Sequence, residues 1–98
     1  MPQIEFIVEW PDGSRDRCYS PSRAIREHLT ADTEYPLATF LEHARRGLKA
    51  AALRVQEVHG FLCPRALDQL LALERRSKDF QATDAIVRVR SVGPWGAP

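Results

Sequence analysis

The sequence has 98 residues, of which 44% are hydrophobic and 28% are charged. These fractions are typical of one globular domain with a single core, and they exclude a disordered chain. Fourteen Lys and Arg residues against thirteen Asp and Glu residues leave a net charge of +1, so no nucleic-acid partner is expected, because such binders carry a basic surplus on one face.

The first predicted element is a β-hairpin. Residues 4–10 largely alternate apolar and polar side chains. This pattern predicts a strand whose even-numbered residues share one buried face. The next three residues fit a tight loop with Gly13 at positive φ. That loop pairs Glu9 with Arg15 across the strands and turns Cys18 toward the core.

Two helices and a polar connection follow in the prediction. Residues 20–29 read as a short helix with serine caps, and residues 30–35 as a polar connection. Pro36 opens the main helix, Gly60 ends it, and Gly47 within it predicts the close approach of another element. Its apolar stripe consists of Leu37, Phe40, Leu41, Ala44, Leu48, Ala51, Val55 and Val58.

A third helix is predicted from Pro64 to about Phe80. The basic run 75–78 lies in its last turns, where cations offset the negative end of the helix dipole, so we interpret the run as a solvated cap. The residues expected to face the core are Leu67, Leu70, Leu71 and Leu73.

The third predicted strand covers residues 86–92, where Val and Arg alternate. The order β-β-α-α-α-β predicts an α+β domain over residues 1–92, with residues 93–98 as a flexible tail. We expect a three-stranded antiparallel or mixed sheet of order 2-1-3, with the helices packed on one face. Its outer face is predicted to carry a row of carboxylates between arginine rows, formed by Glu5, Glu9, Arg15, Arg17, Arg88 and Arg90.

No metal, nucleotide or catalytic motif is present in the sequence. His28, His43 and His59 are fifteen and sixteen residues apart, so no helical turn carries two ligands and no metal site is expected. The glycines form no phosphate-binding loop and no serine lies in a GxSxG elbow, so neither a cofactor nor a catalytic residue is predicted.

Cys63 is the one residue whose position could support chemistry. It directly precedes Pro64 at a helix start, where the helix dipole favours a thiolate, whereas burial beneath the main helix opposes one. We expect burial to prevail and the thiol to be inert. The candidates for a ligand or thiol site are therefore weak ones, namely Cys63, Tyr19, Tyr35 and His59.

The sequence also predicts a location. The N-terminal residues enter a strand pattern at once and show no secretion signal. The longest apolar runs fall far below the roughly 18 residues of a transmembrane helix. The two cysteines, Cys18 and Cys63, form no CxxC motif. We expect a cytoplasmic protein with reduced thiols and no membrane partner.

Five separated motifs resemble a known family, the small nitrogen-starvation response proteins of bacteria encoded in a gene cluster with a nitrilase. The likeness runs from about residue 3 to residue 90 and leaves residues 91–98 outside; Pro64 stands where a small polar residue is expected. The motifs are Trp10-Pro11-Asp12-Gly13, Cys18-Tyr19-Ser20-Pro21-Ser22, Tyr35-Pro36-Leu37, Gly60-Phe61-Leu62-Cys63 and Asp68-Gln69-Leu70.

The resemblance implies a cytoplasmic protein induced when nitrogen is scarce and working beside the enzymes of that cluster. It implies no established activity and no site residues. Two hypotheses follow. The favoured one is a non-enzymatic accessory or regulatory protein, with a homodimer left open, that binds a protein or small molecule through exposed strand edges. The alternative is a small thiol-dependent enzyme or ligand-binding protein that uses Cys63.

Overall fold

The computed structural model describes residues 3–81 and 84–96. Within them the chain forms one four-stranded sheet of order β2-β1-β4-β3, in which every neighbouring pair is antiparallel. The α+β class is confirmed. The elements are β1 Ile4–Glu9, β2 Arg15–Ser20, a 3₁₀ turn Arg23–Glu27, β3 Thr33–Pro36, α1 Leu37–His59, α2 Pro64–Ser77, a second 3₁₀ turn Lys78–Phe80 and β4 Ile86–Pro94.

The predicted hairpin of β1 and β2 is confirmed in its register. Glu9 lies opposite Arg15 and Phe6 opposite Cys18, which turns the Cys18 side chain into the core. Gly13 has a φ of 88° and its N–H donates to the carbonyl of Trp10 at 2.9 Å. The positive φ explains why glycine closes this loop, since other L-residues are strained there.

The sheet has four strands, so the prediction of three was wrong. Residues 30–35 were expected to be a polar connection, but β3 occupies Thr33–Pro36 and pairs with the outer side of β4. A four-residue edge strand that ends in Pro36 is too short to show a clear alternation. Its partner stabilises it, because the Arg88 guanidinium donates to the Glu34 carboxylate at 2.9 Å.

The helix count was also wrong, because the first predicted helix is a single 3₁₀ turn over Arg23–Glu27. The expected serine cap is present: the Ser22 hydroxyl accepts from the Ala24 N–H at 3.2 Å. Ile25 and Leu29 are buried in the core. Two buried apolar residues over so short a segment anchor one turn, whereas a stable helix requires a longer buried stripe.

Gly47 admits this 3₁₀ segment to the surface of α1. A Cβ atom added at Gly47 would lie 2.5 Å from Ile25 Cδ1 and 3.2 Å from His28 Cβ. The glycine therefore fulfils the predicted role of permitting a close approach. A Cβ at this position would force the end of the Ile25 side chain and the His28 Cβ to shift.

The core lies between the inner face of the sheet and α1. Phe40, Ala44 and Leu48 of the predicted stripe are fully buried, whereas Val58 at its end is exposed. Trp10 is the largest buried side chain, and its ring contacts Phe40 edge to face at a centroid distance of 6.0 Å.

The predicted inward face of α2 was correct at Leu70 and Leu73 but wrong at Leu67 and Leu71, which are exposed. The inward positions also include Ala66 and Ser77. The reason is that α2 packs on two neighbours at once. Arg45 of α1 binds Glu74 at 3.0 Å, and the Gln69 side chain accepts from the Tyr19 N–H at the edge of β2 at 2.9 Å.

Strand β4 continues to Pro94, two residues beyond its predicted end. Gly93 and Pro94 pair with β1, and the Trp95 N–H donates to the Gln3 carbonyl at 3.0 Å. Part of the segment predicted to be a flexible tail is therefore packed against the domain. Residues 97 and 98 lie outside the described residues, and the flexibility of the tail stays a prediction.

Candidate functional site

The four weak candidates do not form one site. Tyr19 and Cys63 share a small buried cluster beside α1. Tyr35 lies on β3, at the opposite edge of the sheet from β2, about 14 Å away at three strand spacings. Its hydroxyl accepts from the Thr30 N–H at 3.0 Å. His59 lies on the exposed last turn of α1, where its ring is 6.2 Å from the Phe61 ring.

Cys63 occupies the N-cap position of α2, as the sequence predicted. Its backbone is extended and its side chain forms no capping hydrogen bond. The residue is only 8% exposed, because it packs with Tyr19, Ala52 and Ala66. Cys18 and Cys63 are both free thiols, and they belong to separate clusters.

Tyr19 is held at the covered edge of the sheet. Burial raises the pKa of its phenol and negative charge on the neighbouring Cys63 sulfur would raise it further, while the Arg65 guanidinium and a hydrogen bond with Gln3 oppose both effects. The phenol therefore stays protonated at neutral pH and cannot act as a general base toward Cys63. Burial also raises the pKa of the Cys18 thiol, assisted by the Asp16 carboxylate, so this cysteine is a core residue.

Two arginines stack on the aromatic rings beside Cys63. The Arg65 guanidinium lies 3.8 Å from the centroid of the Tyr19 ring, and that of Arg17 lies 4.3 Å from the centroid of the Trp95 ring. The two rings meet edge to face at 5.6 Å. Arg17 also binds Glu5 at 2.9 Å. Arg65 has no carboxylate within ion-pair distance among residues 3–81 and 84–96.

The loop between the helices adds exposed apolar side chains at the same end of the molecule. Phe61 and Leu62 directly precede Cys63 and are both exposed. Arg65 and Trp95 were not among the site residues predicted from the sequence. A tryptophan three residues past the end of a predicted strand was the available signal. We call this region the tip surface; it consists of Arg17, Tyr19, Phe61, Leu62, Arg65 and Trp95.

A second arginine–aromatic cluster lies at the hairpin loop, and we call it the turn-end cluster. Arg76 was predicted to be a solvated cap, but its guanidinium lies 5.3 Å from the Phe80 ring centroid and 3.4 Å from the Asp16 carboxylate. The Trp10 indole donates to Asp16 at 2.8 Å and stacks on Phe80. Arg76 also donates to the Ser14 hydroxyl. The cluster consists of Trp10, Ser14, Asp16, Arg76, Asp79 and Phe80.

The outer face of the sheet carries most of the expected ion pairs. Glu9 binds Arg15 at 3.0 Å and Arg90 at 3.9 Å. Arg88 departs from the predicted pattern, because it binds Glu34 on the unpredicted strand β3. A lattice in which carboxylates offset neighbouring cations presents little net charge to a ligand.

Other site types find no support in the described part of the chain. It contains no group of three or more His, Cys, Asp or Glu residues that could hold a metal ion. An open groove lies between the first 3₁₀ turn and α1. Its lining includes two cations and two carboxylates whose charges offset each other, namely Arg23, Glu27, Arg54 and Glu57. Within residues 3–81 and 84–96, no helix is long and apolar enough to cross a bilayer.

Comparison with known proteins identifies a family. A family model described as nitrogen starvation-induced protein NitG matches residues 5–92. The match extends past residue 90 and thus includes Ser91 and Val92, which the resemblance had placed outside. No curated protein and no solved structure matches the chain significantly.

Proposed function

Since the chain belongs to the family of nitrogen starvation-induced proteins described as NitG, we propose that it is a cytoplasmic accessory or regulatory protein of that response. It acts by binding a protein partner. The partners we propose are the enzymes encoded in the nitrilase-containing gene cluster that the sequence resemblance implies. The observation that carries the proposal is the tip surface, where exposed apolar side chains adjoin arginines held on aromatic rings.

The tip surface has the composition of a protein-binding centre. Aromatic residues and arginine dominate the energetics of protein interfaces, while the rim contributes little. Arg65 is already ordered by its stacking on Tyr19, so a partner would lose less side-chain entropy on binding it. The matching surface is an apolar side chain that covers Phe61, with a carboxylate placed to accept from Arg65.

The cluster around Cys63 supports binding better than catalysis. A nucleophilic thiol requires a base that accepts its proton. The raised pKa keeps the Tyr19 phenol protonated, and Tyr35 lies at the other edge of the sheet. His59 is on the exposed side of the helix end, beside Phe61.

A thiol-dependent enzyme or ligand-binding protein is the second candidate function. The observation in its favour is that Cys63 packs with Tyr19, on whose ring the Arg65 cation lies. The two candidates differ in whether Cys63 reacts in the folded protein.

The binding proposal is tested by biolayer interferometry with the purified chain and each enzyme of the cluster. We expect one enzyme to bind, and Phe61→Ser and Arg65→Met to weaken that binding at least about tenfold. Matched controls are Ile86→Ser, an exposed apolar residue distant from the tip in the sheet, and Arg46→Met on α1. Binding that the controls weaken as much as the tip variants would contradict the assignment, as would no binding at all.

The thiol alternative is tested by the alkylation rate of the folded protein near neutral pH, with Cys18→Ser isolating the Cys63 signal. We expect Cys63 to react more slowly than a free cysteine, because it is 8% exposed. A faster reaction would shift the conclusion to the thiol-dependent function. The two experiments have independent readouts, so one can fail without the other.

A further inference from the structure

The outer side of the helix pair carries three exposed leucines. Ala52 of α1 and Ala66 of α2 pack in one cluster, and the helices run antiparallel with Arg45 bound to Glu74. Each next residue turns about 100° around its helix, which brings Leu53 and Leu67 to the outer groove between the helices. Leu71 follows Leu67 by one turn. The three are 51%, 41% and 46% exposed, and we call them the leucine groove.

Leucines at this density are unusual on a solvated face. Single exposed apolar residues need no explanation, but an adjoining set on two helices marks an interaction surface. The spacing of Leu67 and Leu71 is that of a buried helix face. Within the described residues, α1 and the β2 edge occupy the other sides of α2 and leave these leucines uncovered.

Charges on α2 indicate what that molecule is. Asp68 and Arg75 are exposed and seven residues apart, so they lie on the same side two turns from each other. Neither forms an ion pair within the described residues. Leu71 and Ala72 lie midway between them. The exposed stripe therefore runs from a carboxylate through an apolar centre to a cation.

The charges of this stripe are complementary to those of a second copy of the stripe that runs in the opposite direction. If a second α2 lies antiparallel, with a two-fold axis between Leu71 and Ala72, Asp68 of each copy lies opposite Arg75 of the other. A two-fold axis repeats every contact, so two ion pairs form at once. Ala72 is small and leaves room for Leu71 of the other copy to pack into the leucine groove.

We infer that the chain forms a homodimer through this face, with the two α2 helices antiparallel. The inference goes beyond the proposed function, because it uses the outer side of the helix pair and not the tip surface. The antiparallel arrangement sends the two tip surfaces to opposite ends, which makes the dimer bivalent toward its partner. The fourteen residues of α2 span about 21 Å, so the interface is at the small end of the range and a micromolar dissociation constant is expected.

Sedimentation velocity of the full chain between about 1 and 200 µM tests the dimer. We expect the parent to change from monomer to dimer over this range and Leu71→Glu to remain monomeric. Val58→Glu is the matched control, because Val58 is 54% exposed but lines the groove on the 3₁₀ side of α1; it should dimerise normally. Circular dichroism melting curves establish that each variant is folded.

Charge reversal tests the antiparallel arrangement. Asp68→Arg alone and Arg75→Asp alone each place like charges opposite one another and should weaken the dimer at least about tenfold. The double variant Asp68→Arg/Arg75→Asp should restore association. A role within the monomer alone would change melting temperature without this rescue.

Three results would overturn the inference: a parent that stays monomeric at the highest concentration, a dimer that Leu71→Glu leaves intact, or a dimer in which the double reversal fails to rescue. Binding of a cluster enzyme that Leu71→Glu abolishes, with no dimer in the parent, would assign the groove to that enzyme. None of these measurements of the dimer requires a partner protein, so failure here leaves the proposed function standing.

Discussion

An arginine packed against aromatic rings lies near each end of β2, and the two arginines differ in their contacts with carboxylates. At the turn-end cluster, Arg76 lies beside the stacked rings of Trp10 and Phe80 and contacts two carboxylates. At the tip surface, Arg65 lies on the Tyr19 ring but contacts no carboxylate within the described residues. Both arginines are fixed by an aromatic face. They differ in whether the donors of the guanidinium are used inside the molecule.

That difference separates a structural arginine from one that can bind a partner. Arg76 joins the hairpin loop to the end of α2, because its guanidinium donates to the Ser14 hydroxyl and forms ion pairs with Asp16 and Asp79. A guanidinium with its donors so engaged has little to offer another protein. Arg65 is held by its stacking, but its N–H donors bind no carboxylate within the described residues. A carboxylate of a partner can therefore accept hydrogen bonds from them.

The largest expected effect distinguishes the two tryptophans. Trp10 is 2% exposed within the core, so Trp10→Ala should lower the free energy of unfolding by roughly 3 to 5 kcal/mol. Trp95 is only partly buried, and Trp95→Ala should cost less than about 2 kcal/mol. Urea unfolding followed by circular dichroism measures both. Equal losses would mean that the tip surface is as structural as the turn-end cluster.

The arginines themselves come next. Arg76→Met leaves Asp16 and Asp79 without their cation and should lower the free energy of unfolding by roughly 1 to 3 kcal/mol. Arg65→Met keeps the aliphatic contact with Tyr19 and should cost less than about 1 kcal/mol. Chemical denaturation of the two variants provides the comparison. If Arg65→Met proves the more damaging, the argument from donor saturation is wrong.

A smaller effect is expected from the glycines at the two ends of the sheet. Gly13 has a φ of 88°, so Gly13→Ala should lower the free energy of unfolding by about 1 to 2 kcal/mol. Gly93 lies in β4, has no positive φ and leaves open space at its Cβ position. Gly93→Ala should change stability by no more than about 0.5 kcal/mol. Thermal melting that shows no difference between them would exclude the strained turn.

The smallest expected effect is a pH dependence confined to the tip. The folded protein raises the pKa of Tyr19, so it retains the phenol proton after the unfolded chain has lost it, above about pH 10. The free energy of unfolding should therefore fall as the pH rises through that range. Tyr19→Phe should flatten this decline. Stability curves up to about pH 11 in a Cys18→Ala background, which removes the raised pKa of the Cys18 thiol, test it.

Local sequence signals predicted the elements that local physics decides. The hairpin register followed from the alternation of residues 4–10 and a loop that ends in Gly13. The main helix began directly after Pro36, which is its N-cap, and ended before Gly60 as expected. Gly47 indicated a close approach, although the sequence did not name the 3₁₀ turn as its cause.

The missed features depend on partners distant along the chain. Strand β3 exists because β4 pairs with it, and their sequence separation leaves no local trace. Leu67 and Leu71 continue an apolar pattern that resembles a core face, but the contacts of α2 with α1 and with the edge of β2 turn them outward. Arg76 was predicted to be a solvated helix cap, because its partners Trp10 and Asp16 lie sixty or more residues earlier in the sequence.

For the candidate site, the sequence by itself determined that Cys63 begins a helix, because proline at the next position dictates it. It could not determine which side chains surround the thiol. Only the tertiary structure brought Tyr19, Arg65 and Trp95 together and left Tyr35 at the other edge. A pattern of three or four residues sets the direction of a side chain within its own element. The distance between two elements is set by the packing of the whole core, to which every buried residue contributes.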